Sequence, residues 1–193
     1  MRMSKLFGAL AAAALLVSPA MAQKSDVLVM NQAQVIAKSK AGQSIQAQLQ
    51  TIGQAAQSQL QGEGQKLQTE TQQLQQTAES LSKEDLNKRA QALAVKQQGV
   101  QRLAQIRQAE VAQAEAAALS ELSKALEPVV RQIMKKKKAK LVVRRSDVAV
   151  MDDAVDITDE VIAALDKTLT TVKVTKPDLL AQAQANAAAA QAQ

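Results

Sequence analysis

The apolar positions of the chain repeat at helical spacing over most of its length. Leu49, Ile52, Ala56 and Leu60 are spaced three, four and four. Leu60, Leu67, Leu74 and Leu81 then fall seven apart, so the seam changes phase in a stutter. Good helix formers (Gln, Ala, Leu, Lys and Glu) dominate from Gln43 to Gln113, and neither Gly nor Pro occurs between Gly64 and Gly99. This predicts a first long helix from about Gln34 or Ala41 to about Ser80. Ser82-Lys83-Glu84-Asp85 then supplies a capping Ser, an acidic first turn and a near capping box. Leu86, Leu93 and Val100 restart the seven-residue spacing, and Leu119, Leu122, Leu126, Val129 and Ile133 continue it. A second helix from Lys83 to about Lys137 follows, with Pro128 expected to kink or interrupt it. Two such helices joined by a short turn form an antiparallel hairpin, and about 40 residues of helix reach roughly 60 Å. Gly62, Gly64, Thr71, Gln97 and Gly99 lie at or beside the stripe, so the packing of this coiled coil is weak.

Both ends of the hairpin carry a different pattern. Val27–Met30, Leu141–Val143 and Val148–Met151 are short, β-branched apolar runs that predict three strands. A closing helix is expected from Thr158, as N-cap, to Lys167 or Leu169, with Asp159 and Glu160 in its first turn. Strands and helix make a small body of about 60 residues, too few to bury a strong core in one chain. The expected fold class is therefore α+β: a small β-strand body carrying a long helical coiled-coil hairpin, with oligomerisation completing the core.

The first 22 residues are set apart. Arg2 and Lys5 precede an apolar stretch from Leu6 to Val17, and Ala20-Met21-Ala22 follows. That is the layout of a secretory signal peptide cleaved before Gln23. A transmembrane anchor would need a longer run, and Pro19 breaks this one. Loss of Arg2 and Lys5 lowers the formal charge of the 193-residue chain from +6 to +4. The expected organisation is a signal peptide at 1–22, a body from 25–40 and 120–170, a hairpin at 41–119, and an Ala/Gln-rich disordered tail at 171–193.

Composition narrows the chemistry. The chain has no Cys, His, Trp or Tyr and a single Phe. Disulfides, thiolate metal sites, imidazole bases and Ser-His triads are thereby excluded, and so are aromatic platforms for nucleic acid. No nucleophile stands with a base, and no Gly-rich loop cradles a phosphate, so no catalytic, cofactor or metal residue is assigned. Asp147, Asp152, Asp153, Asp156 and Asp159 are crowded but lack the spacing and glycine of a Ca²⁺ loop, and turn or capping roles suit them better. Lys135, Lys136, Lys137, Lys138, Arg144 and Arg145 form a basic run. It is read either as a patch for anionic lipid or phosphorylated glycolipid, or as solvated cations favoured by a helix C-terminus.

The opening Val27-Leu28-Val29-Met30-Asn31 and the closing stretch from Leu141 to Leu165, with Asp156-Ile157-Thr158-Asp159-Glu160-Val161, resemble the Skp/OmpH family of periplasmic chaperones. The hairpin between them is generic coiled-coil sequence. The resemblance implies a homotrimer whose β body carries three hairpins around a cavity. It implies an ATP-independent holdase that binds unfolded outer-membrane β-barrel proteins and delivers them to the outer-membrane assembly machinery. Lipopolysaccharide or anionic lipid is a further ligand it raises. On that reading the hairpin residues Leu60, Leu67, Leu74, Lys88, Arg89, Leu93 and Lys96 are the candidate client contacts: apolar seam positions with a slight cationic excess around them. A structural coiled-coil adaptor of the envelope, or a glycolipid-binding envelope protein, are the alternatives.

Overall fold

The computed structural model describes residues 26–191, so the expected signal peptide and its cleavage point lie outside the described residues. The elements in chain order are β1 (Val27–Met30), α1 (Gln32–Lys38), α2 (Lys40–Thr77), α3 (Lys83–Lys137), β2 (Leu141–Arg144), α4 (Thr158–Thr168) and α5 (Leu179–Gln191). Helix dominates, and α2 and α3 pack against each other as the long antiparallel pair.

Local chemistry accounts for the boundaries. Asn31 Oδ1 accepts from Gln34 N at 3.0 Å and starts α1. Ser39 ends α1 in an extended conformation, and its hydroxyl accepts from Gly42 N at 3.1 Å to start α2. The single first helix of the sequence pattern is thus two, broken at a fully buried Ser39. Ser82 Oγ accepts from Asp85 N at 3.1 Å and donates to Asp85 Oδ2 at 2.6 Å, closing the expected cap at the start of α3. The 55 residues of α3 continue through Pro128, which therefore does not interrupt it. Buried Leu122, Leu126, Val129 and Ile133 pack on either side of the proline and hold the helix across the missing N–H. At its C-terminus Lys138 takes a left-handed conformation (φ 57°), and its N–H returns to Lys135 and Met134 carbonyls.

The two strands pair in parallel, Val27 with Leu141 through Met30 with Arg144. Parallel pairing needs a long crossover, and the whole hairpin supplies it. On its other side β1 bonds to the turn before α4: Val29 bridges Asp156, and Ile157 N donates to Val29 O at 2.9 Å. The expected third strand, Val148–Met151, is irregular, and Val150 is 88% exposed. Both edges of β1 are already taken within the chain, so that run finds no edge beside it. Thr158 is not the N-cap of α4 either. It is the first helical residue, Asp156 Oδ1 accepts from its N–H at 2.8 Å, and its hydroxyl accepts from Asn31 N at 2.9 Å. Thr158 thereby ties α4 to the end of β1.

One apolar cluster joins these parts. Leu28, Met30 and Val35 meet Ile45 of α2, Ala114 to Ile133 of α3, and Ile157, Val161 and Leu165 of α4. The core does not stop at the body's expected edge. Ala41 and Ile45, at the root of α2, and Ala114 and Ala118, on α3, are nearly fully buried within it.

The expected tail, 171–193, is described as far as residue 191. Val172 and Val174 belong to the core cluster, and Leu179–Gln191 is helical, with Asp178 Oδ1 accepting from Ala181 N at 2.9 Å at its start. Thr171 to Thr175 alternates polar residues with valine, which gives this segment an apolar face to bury; the Ala-rich stretch after it has the helix propensity to continue.

Candidate functional site

The distal hairpin is built differently from its root. From residue 46 to residue 109 no side chain is buried, whereas both flanks join the core. Leu60, Leu67, Leu74 and Leu93 all stand half-buried, facing the partner helix while remaining open to solvent. Shallow hollows interrupt the seam between them. One is lined by Leu67, Val100 and Leu103 with Gly99, another by Leu74, Ala92 and Leu93 with Arg89, and a third, of about 410 Å³, by Ala56, Leu60, Ala104 and Val111 with Gly53. Each gap is lined by small residues, Gly53, Ala56 and Ala104 in one, Gly99 in another and Ala92 in the third, which leave space between the helices.

The structure places the candidate cations unevenly. Lys96 bridges the helices, its Nζ 2.5 Å from Glu70 Oε2, and Lys88 pairs along α3 with Glu84 at 2.6 Å. Both pairs are exposed and contribute little to stability. Arg89 has no ion-pair partner among the described residues and sits beside the Leu74–Leu93 hollow. The candidate client contacts therefore lie along one hairpin seam, as an apolar strip with charges on its margins.

The basic run is largely matched within the chain. Lys136 and Lys137 both reach Glu160, at 3.1 and 2.9 Å. The Lys137 hydrogen bond is the main reason that the Glu160 carboxyl is held below its ordinary range, against some burial. Arg144 pairs with Asp147 at 3.0 Å, and Arg145 donates to Val148 O at 2.7 Å. Only the Lys135 and Lys138 side chains of the six lack a partner among the described residues. Asp147, Asp152 and Asp156 are spent on this pairing and on turns, Asp152 Oδ1 accepting from Ala154 N at 2.8 Å.

A buried charge cluster at the hairpin root has no signal in the local sequence pattern. Glu110 of α3 is fully buried. Its carboxylate accepts from Arg107 Nη1 at 2.6 Å, from Lys176 Nζ at 2.7 Å and from Leu179 N at 3.1 Å. Arg107 also donates from Nε to Gln59 Oε1 on α2 at 3.0 Å, so the cluster joins both helices to the C-terminal segment. Burial opposes ionisation of Glu110, but the hydrogen bonds from Lys176, Arg107 and the Leu179 amide outweigh it and hold the carboxyl below its ordinary range. Such a group stabilises the fold above its unfolded pKa and loses that contribution as pH falls through its folded pKa. Glu110→Gln should therefore destabilise the chain by about 2–3 kcal/mol at neutral pH. Thermal melts of the parent should fall more steeply with acidification below about pH 5 than those of Glu110→Gln. Equal acid sensitivity would show that the charge of Glu110 is not coupled to folding.

With a two-stranded body, a core running into the hairpin root and a solvent-open distal seam established, comparison with known proteins decides the family. The model of the OmpH-like outer membrane protein family matches residues 26–165. The chain belongs to the OmpH-like, or Skp, family. Among solved structures, an OmpH-like protein of Caulobacter crescentus CB15 aligns with a TM-score of 0.75 at 30% identity, covering 82% of this chain and 92% of that one. A comparison with curated proteins gave no match. The Skp/OmpH family is a non-enzymatic chaperone family. The family match ends at residue 165, which leaves the segment anchored by Glu110 beyond it. No described helix is long and apolar enough to cross a membrane.

Proposed function

We propose that this OmpH-like chain is an ATP-independent periplasmic holdase, working as a homotrimer that keeps unfolded outer-membrane β-barrel proteins soluble until their assembly. The observation that carries the reading is the distal hairpin, where 64 consecutive residues (46–109) contain no buried side chain although apolar residues recur at seam spacing throughout. A rod built only as a spacer would close its seam. An open strip of Leu, Val and Ala with exposed cations beside it offers broad, weak, sequence-tolerant contact, which is what a client without fixed structure requires. The protein described for Caulobacter crescentus CB15 as an outer membrane chaperone supports the same class of activity.

The trimer is supported by apolar surface on the body. Leu141 is 53% exposed, Val27 41% and Val150 88%. A hollow of about 430 Å³ lies between α3 and β2, lined by Leu126, Val130, Met134 and Val142. A second chain laid against this face would cover it. The glycolipid alternative is weakened by the internal pairing of four of the six candidate basic residues, Lys136, Lys137, Arg144 and Arg145.

The test dilutes a urea-denatured β-barrel outer-membrane protein into buffer with the mature chain and no nucleotide. Light scattering should stay at baseline at about one trimer per client, and sedimentation equilibrium should give three times the chain mass. Unsuppressed aggregation would overturn the holdase reading. A stable monomer at micromolar concentration would overturn the trimer.

A further inference from the structure

We propose that the groove between the roots of α2 and α3 is a binding site for extended peptide with apolar residues at alternate positions, and that residues 171–179 of the chain occupy it as an internal ligand. Burial along this strap alternates as it does in a strand: Val172 and Val174 are 7% and 9% exposed, while Thr171, Lys173 and Thr175 face solvent. Yet no described strand pairs with it. Its partner is one side chain. Gln48 Nε2 donates to Val172 O at 2.7 Å, and Gln48 Oε1 accepts from Val174 N at 3.0 Å. In a parallel ladder one residue makes that same pair of bonds, through its own N–H and C=O, to residues i−1 and i+1 of its neighbour. The carboxamide of Gln48 thus stands in for one residue of a parallel strand.

The site is built to hold that geometry. Ser44 O and Oγ accept from Gln48 Nε2 at 3.1 and 3.0 Å, which fixes the amide's orientation. The two valines share the apolar cluster of Ile45 and Ala114. Beyond them the buried Glu110 carboxylate receives Lys176 Nζ and Leu179 N. Backbone recognition by Gln48 is indifferent to side chains, as in other modes that add a strand to a protein. Alternation fills the apolar floor, and a cation two residues further on satisfies Glu110. The ligand class is therefore an extended segment of the form apolar-x-apolar-x-cation. A strand of an unfolded β-barrel protein has this alternation. That identification of the natural ligand rests on the holdase reading; the existence of the site does not.

A tethered segment acts at a local concentration in the millimolar range, so the strap masks the groove until it is removed or outcompeted. The test uses a fluorescent peptide of residues 171–179 and the mature chain, either complete or ending at Leu169. Anisotropy should show the shortened chain binding at least about tenfold more tightly than the complete one. Gln48→Ala in the shortened chain should abolish binding, and so should a peptide with both valines changed to Ser. No binding by a shortened chain of unaltered circular dichroism and sedimentation would overturn the proposal. Should shortening disturb the fold, Lys176→Glu in the complete chain sets like charges together at Glu110 and loosens the strap. It should raise peptide affinity severalfold, and unchanged affinity would overturn the proposal. Neither arm contains a client protein, so suppression of aggregation can succeed where peptide binding fails, and the reverse.

Discussion

Deleting residues 63–103 and joining Gly62 to Ala104 through a short turn will leave a folded, assembling body that no longer holds unfolded protein. The two helices face each other at this level: Glu63 and Leu103 line the same hollow, and just below it Arg107 bonds across to Gln59. The cut removes Leu67, Leu74, Lys88, Arg89, Leu93 and Lys96, hence most of the candidate contact strip. It removes no buried residue. Loop-closure entropy changes slowly with length, so a short turn closes the shortened hairpin without a large penalty. Sedimentation should match the parent's assembly state, while light scattering with a denatured β-barrel client should rise to that of client alone. A wider cut, from Gln46 to Leu119, takes Gln48, Glu110, Ala114 and Ala118 with it and should fail to fold, because the core continues into those turns. Full holding by the narrow deletion would move the contact surface to the body and overturn the assignment of the seam.

The contrast between the two cuts marks how far the sequence alone was legible. Seven-residue spacing and the Ser82–Asp85 cap placed the start of α3 and the hairpin turn correctly, because both depend on residues within a few positions of one another. The parallel pairing of β1 with β2 and the break at Ser39 depend on contacts over more than a hundred residues, such as Lys40 N to Asp166 Oδ1 and Asn31 N to Thr158 Oγ1. Local pattern carries no record of these. Glu110 illustrates the same gap. In the sequence it is one acid in an Ala/Gln helix, and its burial exists only because Lys176 and Leu179 come back to it from 66 and 69 positions away. The strap itself did leave a signal. Thr171-Val172-Lys173-Val174-Thr175-Lys176, stopped by Pro177, alternates with a period of two before the Ala/Gln stretch begins.

Gly42→Ala will destabilise the body by more than about 3 kcal/mol, although the same exchange elsewhere on α2 should be harmless. At Ser39 the chain turns from α1 into α2, and the first turn of α2 presses on the last turn of α1. A Cβ on Gly42 would lie 1.7 Å from Ile36 O and 2.7 Å from Ile36 C. Both are backbone atoms of α1, so no flexible side chain can swing aside. Relief requires moving α1 against α2, yet α1 is pinned between fully buried Val35 and Ser39 and is joined through Asn31 to Thr158 of α4. Separating the helices would also stretch the Ser39 Oγ bond to Gly42 N that caps α2. At Gly53 and Gly64, by contrast, nothing lies within 4 Å of the added methyl. Alanine there should stabilise the helix by about 0.5–1 kcal/mol, since it loses less backbone freedom on folding. Thermal melts at one protein concentration, which holds any assembly term constant, should therefore separate the variants in opposite directions. The Gly42→Ala midpoint should fall by roughly 6–12 °C for a chain of this size, with the Gly53→Ala and Gly64→Ala midpoints at or above the parent's. A Gly42→Ala chain melting with the parent would mean that α1 and α2 do not touch at Ile36, and the path by which the hairpin root joins the body would have to be redrawn.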